Sequence, residues 1–99
     1  MFSVYILYSS KLGQFYKGQT NNLSNRIHRH NRGYEKFTKG GVPWKLIWTA
    51  DKETRSEAKR LEDKLKNLGR EKMIEFILKY AEGVVGPDEL LLIKQLSGC

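Results

Sequence analysis

One cysteine, two histidines and a single acid in the first half set limits on this 99-residue chain before any motif is read. The cysteine is Cys99, so no internal disulfide can form, and a cytoplasmic setting is the expectation. Two histidines and one thiol are too few ligands for a structural zinc site. No apolar stretch approaches the roughly 20 residues that a membrane span needs, and no membrane partner is expected. The N-terminal apolar run ends by Tyr8 and has no basic segment before it, so it does not read as a signal peptide. There is no internal repeat and no low-complexity segment. At this length there is room for one modest core.

The charge is lopsided. Of the 18 basic residues, eight (Lys11, Lys17, Arg26, Arg29, Arg32, Lys36, Lys39 and Lys45) precede residue 50, against Glu35 alone. Residues 50–99 are balanced, so the whole net charge of +7 belongs to the first half. That half also carries most of the aromatic residues: Phe2, Tyr5, Tyr8, Phe15, Tyr16, Tyr34, Phe37, Trp44 and Trp48. Cations interleaved with rings suit nucleic acid, because phosphates attract the one and bases stack on the other.

Residues 2–8 are rich in β-branched and aromatic side chains and read as a strand, 9–14 as a turn and 15–19 as a second strand pairing back on the first. Thr20, Asn21 or Asn22 can cap a helix running to about Arg32, with Gly33 ending it. Leu23, Arg26, Ile27, His30 and Tyr34 then share one face, while His28 and Arg29 point to solvent. Residues 35–43 form a basic loop and 44–49 a third strand. Thr54-Arg55-Ser56-Glu57 has the form of a capping box, opening a helix to about Leu68 with Ala58, Leu61, Leu65 and Leu68 inward. A further helix over 70–80 buries Met73, Ile74, Ile77 and Tyr80. After a break at 83–87, Asp88 is expected to cap a short apolar helix over 89–96. Strands followed by helices indicate an α+β fold, with residues 1–82 as the main domain and 83–99 as a helical tail.

Tyr5 and Tyr16 on neighbouring strands, with Arg26 and His30 one helical turn apart, form a polar cluster suited to phosphodiester cleavage. Gly18 leaves space beside Tyr16 for a phosphate backbone, or serves a bulge or turn. Such hydrolysis usually calls for a metal, and magnesium can manage with one carboxylate plus substrate oxygens. Glu35 lies in a loop. Near the helix at 54–68, Glu53 precedes the cap, Glu57 is used by the box and Asp63 points away from the apolar stripe. Glu62 lies roughly 80° from the stripe centre, at the edge of the buried face. Spacing alone leaves these acids open.

As a set, Ser3-Val4-Tyr5, Tyr16-Lys17-Gly18, Gln19-Thr20-Asn21-Asn22-Leu23, Arg26, His30-Asn31, Arg55-Ser56-Glu57-Ala58 and Glu62 to Leu68 resemble the GIY-YIG nuclease superfamily, especially its small single-domain bacterial members. The resemblance covers about residues 2–80. It implies a small three-stranded antiparallel sheet flanked by helices, here with an extra C-terminal helix. It also implies a divalent metal, magnesium or manganese, on Glu62, with Arg26 steadying the phosphate. Tyr5 would be the general base or water-positioning group, with Tyr16 beside it and His30 orienting or relaying protons. Lys66 would support the site or touch backbone. Lys17 replaces an apolar residue of the motif and reads as a backbone contact. Gln19 stands where some relatives carry a lysine thought to help activate the tyrosine.

The expected function is a magnesium-dependent endonuclease of DNA, structure-selective rather than sequence-specific, in repair or recombination. Lys17, Arg29, Arg32, Lys36, Lys39 and Lys66 would bind nucleic acid. The alternative is a non-catalytic nucleic-acid-binding module or a subunit that needs a partner, and the apolar tail could serve a protein partner or a homodimer.

Overall fold

The computed structural model describes residues 1–98; Cys99, and the expectation resting on it, lies outside the described residues. Strands β1 (Phe2–Ser9), β2 (Gln14–Thr20) and β3 (Trp44–Lys52) form one antiparallel sheet in the order β2-β1-β3. Four helices follow or intervene: α1 (Leu23–Asn31), α2 (Arg55–Lys66), α3 (Arg70–Lys79) and α4 (Pro87–Leu96). The α+β class and the three-stranded antiparallel sheet are as expected from the sequence.

β1 is central and buried because both of its faces are apolar. Val4, Ile6 and Tyr8 pack with Ala58 and Leu65 of α2 and with Met73, Ile74 and Ile77 of α3. Tyr5 and Leu7 face the other way, with Leu23 and Ile27 of α1, Tyr16 and Trp44. Strand alternation thus sorts the side chains into two clusters. β3 breaks that alternation between its pairings Ile6↔Trp48 and Leu7↔Leu46, leaving Ile47 as an extra residue. The bulge turns Trp48 into the α2 cluster although Trp44 and Leu46 belong to the α1 cluster.

The caps and element ends follow the sequence with three corrections. Asn22 accepts from the Asn25 N–H at the start of α1, and Thr54 accepts from the Glu57 N–H at the start of α2. Asp88 does not cap α4. Pro87 already occupies the first turn behind Gly86, and Asp88 lies inside that turn as an acid favourable to the helix dipole. Tyr34 does not share the inward face of α1. The helix ends at Asn31, Gly33 takes a φ of +75°, and Tyr34 emerges into solvent. β3 runs three residues past the expected end at Thr49, to Lys52.

The C-terminal segment packs on the same core as α2 and α3. Val84 bridges to Trp48 on the β3 edge, the Val85 N–H donates to the Ile47 carbonyl, and Ile93 is fully buried. None of the described helices is long and apolar enough to cross a membrane.

Candidate active site

Tyr5 sits opposite Gly18 in the β1–β2 register. A Cβ at Gly18 would lie 2.6 Å from the Tyr5 hydroxyl oxygen and 2.8 Å from its ring carbon. The space that the missing side chain leaves is therefore filled by the Tyr5 ring. This corrects the expectation that Gly18 opens a gap for a phosphate backbone.

The Tyr5 hydroxyl lies 3.1 Å from His30 Nε2, and His30 Nδ1 lies 2.8 Å from Thr38 Oγ1. Thr38 Oγ1 donates to the Glu35 carbonyl at 3.4 Å, which leaves it to accept from His30 Nδ1–H. Nε2 is then the unprotonated nitrogen, and it accepts from the Tyr5 O–H. Burial lowers the His30 pKa from its ordinary value of 6.5; Glu35 opposes this and Arg26 and Arg29 reinforce it, so the ring is held neutral. Burial, reinforced by Tyr16, pushes the Tyr5 hydroxyl well above an ordinary phenol, and the nearby Arg26 charge does not overcome this. Tyr5 is completely buried. A phenol with no exposed surface and an elevated pKa is a hydrogen-bond donor to His30, not a base open to solvent. The group at the surface is Tyr16, partly exposed, with its ring centroid 4.9 Å from His30 and 6.5 Å from Tyr5.

The loop after α1 is tied down from beneath. The Asn31 side-chain amide donates to the Trp44 carbonyl at 3.0 Å and accepts from its N–H at 2.5 Å, standing in for a neighbouring strand. The Trp44 indole N–H donates to the Thr38 carbonyl at 2.6 Å. Asn31 and Thr38 are supports to which sequence reasoning gave no such role; eight residues separate Thr38 from His30, and no local pattern links them.

Glu62 approaches from the other face of the sheet, on α2, beside the β2 edge. Its Oε1 accepts from Gln19 Nε2 at 3.1 Å and its Oε2 pairs with Lys66 at 3.0 Å. That bond to Glu62 is the main reason the Lys66 ammonium titrates above its ordinary range. Lys17 is displaced downward, first by burial and then by the like charge of Lys66. Glu62 is only 9% exposed, whereas Asp63 points outward to Lys59 and Glu57 meets Thr54 at the cap. The two halves communicate through charge. Arg26 and Glu62 both act on the Tyr5 hydroxyl, and Tyr16 acts on both Tyr5 and Lys66.

Among the described residues no three His, Cys, Asp or Glu side chains cluster to hold a metal. What the site offers is one poorly exposed carboxylate and, next to it, the Gln19 amide. A single carboxylate oriented by an amide N–H fits a magnesium-type ion that keeps most of its waters and takes its remaining oxygens from a phosphate.

The remaining basic residues divide between the two faces. Lys17 and Lys66 lie on the α2 side. Arg29, Arg32, Lys36 and Lys39 lie exposed around α1 and its following loop, with Arg29 engaged by Glu35 at 3.0 Å and over the Tyr34 ring. Between Lys36 and Thr38 projects Phe37, 90% exposed.

The paired tyrosines on β1 and β2, the arginine and histidine of α1 and the glutamate of α2 define a class of protein. A family model described as the GIY-YIG catalytic domain matches residues 1–74, and the chain belongs to that nuclease family. More particularly, it is similar to UPF0213 proteins. One from Clostridium perfringens is 40% identical over 75 residues, 75% of this chain and 80% of the relative. Another from Halobacterium salinarum is 37% identical over 71 residues, 71% of this chain and 91% of the relative. The solution NMR structure of a UPF0213 protein from Bacillus halodurans, 34% identical, superposes with a TM-score of 0.56 over 90% of this chain and 92% of that one.

Proposed function

We propose that this chain is a divalent-metal-dependent endonuclease of DNA, acting on structured substrates in repair or recombination. The observation that carries the reading is the convergence on the β2 edge. A buried hydrogen-bonded pair, Tyr5–His30, lies on one face with the partly exposed Tyr16 ring 4.9 Å from His30, and a carboxylate, Glu62, lies on the other. Magnesium is the proposed ion and Glu62 the residue that would hold it. When bound, the ion would supply Lewis-acid stabilisation of phosphate charge.

Arg26 would bind the scissile phosphate; among the described residues it has no carboxylate partner in an ion pair, and a guanidinium matches phosphate oxygens in geometry. Tyr16, as the partly exposed phenol, would orient the attacking water. Tyr5 and His30 would act behind it. Tyr5 donates to His30 Nε2, and this bond would keep the neutral imidazole oriented beside the Tyr16 ring. Lys17 and Lys66 on one face, and Arg29, Arg32, Lys36 and Lys39 on the other, would hold the backbone, with exposed Tyr34 and Phe37 offering ring faces to bases. The proposed setting is the cytoplasm.

One observation favours a second reading, a binding module without catalysis. Glu62 is already satisfied by Lys66 and Gln19, as a purely structural carboxylate would be.

A labelled panel of single-stranded, duplex, flap, three-way and four-way DNA plus RNA, incubated with magnesium or manganese, separates the two. The nuclease reading expects metal-dependent cutting that Glu62→Gln abolishes and Glu57→Ala spares, and that Arg26→Ala slows while affinity stays within a few-fold. Binding by the wild-type protein without cutting, with either metal, would establish the module instead.

A further inference from the structure

The Gln19 side chain holds one unexplained atom. Its Nε2 donates to Glu62 Oε1 at 3.1 Å, which fixes the orientation of the amide: turned over, it would set its own oxygen against a carboxylate oxygen. The amide oxygen, Oε1, is thereby directed to a buried position where no protein group donates to it. An amide oxygen withdrawn from water without a donor is destabilising, and native interiors rarely keep one without a purpose. The missing partner must be a small donor, and the neighbouring Glu62 carries on its second oxygen the half-exposed ammonium of Lys66.

We infer that Gln19 is a positioning residue for a hydrated divalent cation at Glu62: its Nε2 fixes one carboxylate oxygen, and its Oε1 accepts a hydrogen bond from water in the cation's shell. A dication polarises its waters into strong donors, and magnesium keeps several of them, so a hydrated ion supplies what this oxygen lacks. Lys66 holds the place of the cation until the ion displaces it. Supporting partners of this kind commonly change metal affinity by 10–100-fold. This inference rests on the metal site proposed above and adds to it a second residue, from β2 rather than α2.

The test is the affinity of the protein for manganese alone, without nucleic acid, read by electron paramagnetic resonance of the free ion and by amide shifts around Glu62. Gln19→Leu fills similar volume, removes the orphaned oxygen and is expected to weaken manganese binding about tenfold without lowering the melting temperature of the apo protein. Gln19→Glu, which adds a charged oxygen at the same place, is expected to restore or tighten it. Unchanged affinity in Gln19→Leu, with binding lost in Glu62→Gln, would overturn the role of Gln19 alone. Unchanged affinity in Glu62→Gln would overturn both this inference and the metal site on which it rests.

Discussion

His30 carries the clearest pH signature at the scale of a single residue. Burial holds its folded-state pKa below the ordinary 6.5, so the unfolded chain takes up that proton at higher pH than the folded one. Its contribution to stability is complete above about 6.5 and is lost as pH falls toward the lowered folded value. Thermal melts of the wild type are expected to show a falling midpoint from pH 7.5 to 5.5, and His30→Gln should flatten that slope. Glu35, lowered chiefly by its bond to Arg29, adds stability that is lost only as pH falls below about 4.5. The ionisable groups acting on His30 are Glu35, which raises it, and Arg26 and Arg29, which lower it. An equal slope in His30→Gln would assign the effect to other groups. Tyr5 and Tyr16 were both legible in the sequence as a pair. Their division into a buried donor and a surface phenol was not, because it depends on which ring fills the space over Gly18.

Gly18 and Asn31 each matter at the scale of elements, where strands and helices are held in register. Gly18→Ala would force a Cβ against the Tyr5 ring and is expected to cost about 1–3 kcal/mol in urea denaturation, with loss of the Tyr5–His30 bond. Gly40→Ala, where a Cβ meets nothing within 4 Å, should stay within about 0.5 kcal/mol. Equal costs at the two positions would mean that close packing at Gly18 is unimportant. Three strands, the Thr54 cap and all four helices were readable from alternation, capping residues and apolar stripes. Asp88 misled because Pro87 beside it is the better first-turn residue. Tyr34 misled because helical periodicity was carried past a glycine that ends the helix. The Ile47 bulge left no mark in the sequence: a shift between two apolar residues looks the same in either register.

The whole molecule is joined by α4. That helix lies beyond the residues matched by the family model, yet Ile93 is fully buried among side chains that also pack α2 and α3. Ile93→Ala is expected to cost about 2–4 kcal/mol in a single cooperative transition, whereas Leu91→Ala, at a position 55% exposed, should be nearly silent. Two separate transitions in the wild type would instead make residues 83–99 an independent appendage. The charge asymmetry between the two halves of the chain appears in space as exposed cations on α1 and the loop that follows it, with Lys17 on β2. The excess charge of a segment is fixed by its composition and needs no contact detail, so this property was legible in the sequence.

The sequence by itself determined the α+β class, the family and the identity of the residues assembled at the edge of β2, because strand alternation, helix caps and motif spacing are local properties. The tertiary structure decided what those residues can do. Only packing buries Tyr5 and leaves Tyr16 at the surface, seats His30 on Thr38 in its neutral form, and brings Gln19 of β2 against Glu62 of α2, 43 positions away. Burial and long-range hydrogen bonds set proton affinities and leave an oxygen without a donor, and neither is encoded by neighbours in the chain.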